Sequence, residues 1–322
     1  MLLSYRLIGV VAIKEFKTID ELVELLKARN VETDDETSRI LQRESYYAIV
    51  NGYKGPFLDK DAMQSSASDI YRKGTTFRQM FDLFLYDREL RFATLPFLIR
   101  VESILKNATV YAFCEKNRAA DAYLERSNYT TAKDMLVPKT YVGNRNEEYG
   151  INMANLMRIL NGKLTVGKRT RPFIKHYIEN YGSVPLWVLQ NDLTFGNMAH
   201  FYQLQKRNVQ NEASKIVGGI SGRSERLTPH DLLRFFDVFV GFRNICAHDE
   251  RLYCAEVKGA RYADMLFLMA KILPSDEINQ LVSLLHKAAL SFGDKLDQKV
   301  LVQVNSEMHI ETVNGNTRSR GV

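Results

Sequence analysis

Six polar residues fall within a short stretch of one segment: Arg243, Asn244, His248, Asp249, Glu250 and Arg251. An imidazole and a permanent cation are the parts that RNA cleavage without a metal requires. The imidazole shuttles protons for the 2′-hydroxyl and the leaving 5′-oxygen, and the guanidinium clamps the crowded phosphate. A free imidazole titrates near pH ~6.5, so both proton roles are accessible near neutrality. Arg243 and His248 are five positions apart, which on a regular helix is about 140° of turn and about 7.5 Å of rise. They share no face of one unbroken helix. They can converge if the helix ends or loosens near Gly241 to Cys246, or if two copies of the segment meet across a two-fold axis. Arg171 and His176 repeat the spacing in RPFIKH. Spacing alone leaves a structural role open for either pair.

The elements that must position these groups read as helices. Thr228 is a natural N-cap, Pro229 fits the first helical position, and Asp231 adds a favourable charge there. Leu232, Leu233, Phe236, Phe239 and Val240 then give an apolar face that docks the helix in a core. Other helical patterns cover 19–29, 35–50, 75–115, 151–161, 171–181, 193–206, 260–273 and 276–292. In the long one, Phe77, Phe81, Phe84, Leu85 and Phe92 form a stripe; Pro96 should kink or restart the helix, and Leu95, Leu98, Ile99, Leu105 and Ala108 keep the period. Glu102 lies within that stripe, as a boundary residue, as a partner to a cation, or as the group orienting a functional Arg or His. NGYKGPF at 51–57 is a break, 58–73 a connection, 126–150 a polar loop and GGISGRSER at 218–226 a turn. After Lys299, Val300, Val302 and Val304 alternate, as do Met308 and Ile310, so a small hairpin around Asn305-Ser306 is expected, with NGNTRSRGV as a loose tail. The expected division is an N-terminal helical region over 1–74, a helical domain over 75–292 and a tail or hairpin over 293–322.

Composition narrows the classes. The 322 residues are 45% hydrophobic and 25% charged, an ordinary globular balance that excludes disorder as the main state. Forty-four Lys and Arg against 38 Asp and Glu give +6, a mild excess compatible with a nucleic-acid partner. Three cysteines make no disulfide framework and fit a reducing compartment. The opening MLLSYRLIGVVAIKEF has a short apolar core and no small-residue cleavage site, which argues against a signal peptide. No stretch reaches the roughly 18 apolar residues of a membrane span, so a soluble, cytoplasmic protein is expected.

The string GFRNICAHDERLY resembles the motif of HEPN-domain proteins, an Arg followed by a polar residue and then a His four to six positions on. More narrowly it resembles the Abi-like AbiD/AbiF family of abortive-infection proteins, and the core motif shows no departure. RILQRESYYAIVNGY at 39–53, FDLFLYDRELRFATLPFLIRVES at 81–103 and FIKHYIENYGSVPLWVLQNDLTFGNMAHFY at 173–202 resemble further blocks of that family in the same order. The resemblance covers about residues 18–290 and leaves the end of the chain out. It implies an all-α HEPN helical bundle, usually a homodimer, with a composite RNase site. It also implies a toxin or antiphage role, with RNA as substrate and a small noncoding RNA as restraint. Carried over by position, Arg243 and His248 are the catalytic pair, Asn244 the accompanying polar residue and Glu102 a supporting acid. The expected products are a 2′,3′-cyclic phosphate and a 5′-hydroxyl, formed without a metal or other cofactor.

Between Tyr149 and Ile178 stand Arg158, Lys163, Lys168, Arg169, Arg171 and Lys175 with no acid, ending at His176 and Tyr177. This reads as a phosphate-tracking surface with an aromatic for stacking, against a solvated face that happens to be basic. Cys246, His248 and Cys254 lack the fourth ligand and close Cys pair of a zinc site, and Cys246 reads as a small buried apolar residue. SKIVGGISGRS matches no phosphate-binding loop and reads as a surface turn. Pro185 and Trp187 read as packing anchors, and His200 as a core or boundary histidine. The alternative function is a HEPN bundle that holds a noncoding RNA or a partner protein and does not cut.

Overall fold

A computed structural model of the chain describes residues 15–65, 68–222, 226–313 and 316–319. The helices are α1 (Ile19–Ala28), α2 (Thr37–Glu44), α3 (Phe77–Lys116), α4 (Arg145–Leu164), α5 (Pro172–Tyr181), α6 (Leu186–Leu189), α7 (Phe195–Gln203), α8 (Arg207–Ile220), α9 (Pro229–Ala247), α10 (Tyr262–Ala270), α11 (Ser275–Gly293) and α12 (Gln298–Glu307). The one sheet among the described residues is an antiparallel hairpin of β1 (Ile310–Val313) and β2 (Asn316–Ser319), with Ile310 opposite Ser319. The fold is all-α, as expected. Residues 1–14, in which no signal peptide is expected, and 223–225 of the expected turn lie outside the described residues.

Two compact units form, one of residues up to Leu85 with Lys295–Val300, the other of Tyr86–Asp294 with the residues from Leu301 onward. In the first, Thr18 and Glu21 close a capping box at the start of α1, which packs on α2. Leu26, Ile40, Leu41, Ile49, Val50 and Phe57 are buried there, with Phe77, Phe81 and Phe84 from the first turns of α3. Thr76 caps α3 by accepting from the Gln79 amide at 3.1 Å.

In the second unit α9 is the central element and packs against α7, α8 and α10. Rings close the core around it: Phe236 meets Phe195 and Tyr202 at 5.7 and 5.2 Å, and Phe201 meets Phe113 and Tyr129 at 5.3 and 5.8 Å. Helix α3 continues through Pro96 rather than restarting. Phe92, whose carbonyl Pro96 leaves without its helical donor, is 60% exposed, so it does not belong to the buried stripe, and neither does Ile99 at 53%.

Other expectations are corrected. Residues 298–307 form α12 rather than the first arm of a hairpin, and the hairpin lies further on, taking in Asn316–Ser319 of the expected loose tail. Val300, Val304 and Met308 are buried at a spacing of four while Val302 is exposed; over so short a run, alternation and a helical period look alike. Helix α8 arises where no element was expected, α4 begins inside the expected polar loop, and 47–51 is a π-type turn rather than a continuation of α2. Trp187 is half-exposed and His200 exposed, so neither anchors the core.

Candidate functional site

The end of α9 is built from its start. Thr228 accepts the Asp231 amide at 3.3 Å while the Asp231 carboxylate takes the Thr228 amide at 2.8 Å, and Pro229 occupies the first helical position. The helix then runs unbroken to Ala247. Gly241 allows this, because a Cβ there would stand 2.4 Å from Cγ1 of Val257. The loosening near Gly241 to Cys246 that was one route to convergence is therefore absent, and the intervening backbone is helical. By helical geometry Arg243 and His248 stand about 140° apart around the axis and about 7.5 Å along it.

His248 is the C-cap residue, exposed, with its amide donating to the Asn244 carbonyl at 2.9 Å. Asp249 then takes the left-handed conformation (φ 56°), and the Glu250 amide closes on Ile245 O at 3.1 Å. This is the helix-ending turn usually made by glycine. Asp249 holds it by pairing with Arg88 at 2.9 Å and Arg91 at 2.5 Å. Burial works against its charge, but the Arg88 hydrogen bond and the Arg91 charge outweigh this and hold the carboxyl below its ordinary range. Buried Asp87 pairs with Arg91 at 2.6 Å and accepts the amides of Leu252 and Tyr253 at 2.9 and 2.7 Å. The strand of chain leaving His248 is thus pinned to α3. Sequence reading missed this brace; its signal was an Asp and an Arg four positions apart within a buried helix.

Arg243, half-buried, meets Glu102 of α3. Its Nε lies 3.1 Å from Glu102 Oε2, an ion pair without hydrogen-bond alignment, and its guanidinium stands 5.9 Å over the Phe195 ring. Glu102 Oε1 lies 3.7 Å from Lys106 Nζ, which also donates to Leu193 O at 2.8 Å. Burial pulls the Lys106 ammonium below its ordinary value, and Glu102 opposes the shift. One carboxylate shared by two cations leaves a positive charge over. The structure brings Glu102 and Arg243 together and places His248 on another side of the same helix end. Neither Arg243 nor His248 is locked in the interior.

The basic stretch divides. Arg158, Lys163, Lys168 and Arg169 line a groove of about 550 Å³ between the end of α4 and the loop that follows. Its acid, Asp192, pairs with Lys163 at 2.9 Å and Arg171 at 3.3 Å, while Lys175 pairs with Glu179 along α5. His176 is exposed and packs edge-on to Tyr177 and Tyr181, with ring centroids 5.9 and 6.1 Å away, so Arg171 and His176 face different partners.

Cys246 is buried, which lifts its thiol to about 12, and burial raises Cys254 as well. Among the described residues no group of three or more His, Cys, Asp or Glu is placed to hold a metal ion. No described helix is long and apolar enough to cross a membrane.

Compared with known proteins, residues 39–254 match the family described as Abi-like protein. No curated protein and no solved structure matches the chain.

Proposed function

The chain belongs to the Abi-like family, whose association is with abortive infection and phage defence, and from that premise we propose that it is a HEPN-type endoribonuclease acting as an antiphage effector. The observation that carries this reading is the end of α9. An exposed imidazole sits at a rigidly braced C-cap, and a guanidinium five positions earlier is held by Glu102 with a positive charge to spare.

Because one chain keeps Arg243 and His248 on different sides of α9, the proposed site is composite, made from two copies. A feature of α3 supports this. Arg88, Phe92, Leu95, Ile99 and Glu102 follow one another at steps of four and three, the spacing of a helix-pairing seam. Phe92 and Ile99 are more than half exposed, Arg88 holds the Asp249 that follows His248, and Glu102 holds Arg243. An apolar seam running between the supports of the two functional groups suits a second copy of the same helix.

In the proposed reaction His248 accepts the proton of a 2′-hydroxyl as that oxygen attacks phosphorus. The bond to the 5′-oxygen breaks, and an imidazolium from the second copy gives that oxygen its proton. Arg243 stabilises the crowded phosphate. The ends formed are a 2′,3′-cyclic phosphate and a 5′-hydroxyl, and no step calls for a metal. The groove of Arg158, Lys163, Lys168 and Arg169, with the rings of His176 and Tyr177 further along the chain, supports RNA as the ligand, both as substrate and as a restraining noncoding RNA. A second reading, an RNA-holding protein that does not cut, draws on the separation of Arg243 from His248 within one chain.

Alanine at Arg243 or His248 separates the two. An endoribonuclease loses cleavage by roughly 10²-fold or more while RNA affinity stays near that of the parent. End-group analysis with chelator present should find cyclic phosphate; a 3′-hydroxyl product or an absolute metal requirement refutes the mechanism. Reversing charge at Lys168 and Arg169 should weaken RNA binding and flatten its dependence on salt. An unchanged slope would remove those residues from the interface.

A further inference from the structure

A second cationic cavity lies at the opposite end of α9 from His248. Lys133, Asp134, Arg145, Arg207 and His230 line it over a floor that includes buried Leu136, and its volume is about 520 Å³. That is within the range of small-molecule sites. Its cations come from four segments: the loop before α4, the first turn of α4, the first residue of α8 and the first turn of α9. Among the described residues, none of Lys133, Arg145 and Arg207 has a carboxylate at ion-pair distance. The one lining carboxylate, Asp134, accepts the Thr131 hydroxyl at 2.9 Å. Asp231, beside His230, is engaged by the Thr228 amide and hydroxyl at 2.8 and 2.6 Å.

We propose that this cavity binds the oligophosphate group of a nucleotide. Arg145 donates to the Lys133 carbonyl at 2.7 Å and Asp134 stands in the lining, but three permanent cations and an imidazole against one lining carboxylate leave net repulsion that a polyanion would relieve. Three helices begin around the cavity: Asn144 caps α4 and Thr228 caps α9, each with acidic charge in its first turn, whereas Lys206 lends α8 no side-chain cap and leaves the positive end of that dipole uncompensated. With three fixed charges and one titratable one against a single acid, a di- or triphosphate is better matched than a lone phosphate. The imidazole of His230 reports the field. Burial lowers its pKa and the charges of Arg207 and Lys139 lower it further, against Asp231 on its own helix. By helical rise His230 is about 20 Å from Arg243 and about 27 Å from His248. The cavity therefore holds a different phosphate from the one that would be cut, and the inference stands whether or not the chain cleaves RNA.

The test is a titration of the full chain with sodium tripolyphosphate, followed by heat of binding and by the His230 ring resonance between about pH 5 and about pH 8. Saturable binding is expected, stronger than for orthophosphate. The His230 pKa should rise at saturation, because the anion favours the imidazolium. Arg145→Gln with Arg207→Gln should weaken binding roughly tenfold or more. Arg158→Gln with Lys168→Gln, lining the other groove, should leave the His230 shift unchanged. If the double variant melts early, Lys133→Gln serves in its place. Two sources share this chemistry. An RNA carrying a 5′-triphosphate that binds roughly tenfold better than its 5′-hydroxyl counterpart assigns the site to a transcript end. ATP binding with no preference between those RNAs assigns it to a free nucleotide. Absence of saturable tripolyphosphate binding, or binding indifferent to both the double variant and Lys133→Gln, overturns the proposal.

Discussion

At the scale of single residues, Asp249 fixes where His248 stands. It adopts the left-handed conformation that glycine usually supplies and is held there by Arg88 and Arg91. Asparagine tolerates the same backbone, so Asp249→Asn removes the charge and leaves the turn. The folded carboxyl titrates below its ordinary 3.8. The ionised form therefore contributes stability that is fully present above that value and is lost as pH falls through the lowered one. The variant should be less stable than the parent at pH ~7 by on the order of 1 kcal/mol, the side chain being half-exposed and screened. Below 3.8 the gap should close. Urea melts at two pH values decide it, and a gap of constant size would mean that the charge is not what holds the turn.

At the scale of elements, α9 carries a capped start at Thr228, a core face, and the end that bears Arg243 and His248, and its continuity depends on Gly241. Alanine is favoured over glycine in an open helix by about 1 kcal/mol. Here the added methyl would lie 2.4 and 2.9 Å from the two methyls of Val257, a branched side chain with little freedom to move. Overpacking of this kind costs about 1–3 kcal/mol, so Gly241→Ala should destabilise by about 1 kcal/mol despite its better propensity. Val257→Ala in the same chain should restore that loss. Two substitutions that simply add would show that the two residues do not meet.

At the scale of the whole molecule, the composite reading requires two copies. Phe92→Glu with Ile99→Glu places charge on the exposed seam of α3 and touches neither Arg243 nor His248. Light scattering should show the mass fall to that of one chain, and cleavage should fall with it. A parent protein that is already monomeric, or a variant that still pairs, would remove the second copy from the site.

The sequence by itself determined the chemistry on offer and most of the helices. Thr228, Pro229 and Asp231 announced the start of α9, the aromatic stripe announced the buried start of α3, and the ordered blocks indicated the family that residues 39–254 match. These signals are local, set by caps, periods and residue types within a few turns. What it left open was which partners distant residues would find. Glu102 meets Arg243 across 141 positions, Asp87 takes the amides of Leu252 and Tyr253, and three other segments converge on His230. The exposed seam at Phe92 and Ile99 read as core because an apolar period shows that a face exists, without showing what covers it. Whether a helix face meets its own chain, water or a second copy depends on how the other helices pack, and only the tertiary structure decided that.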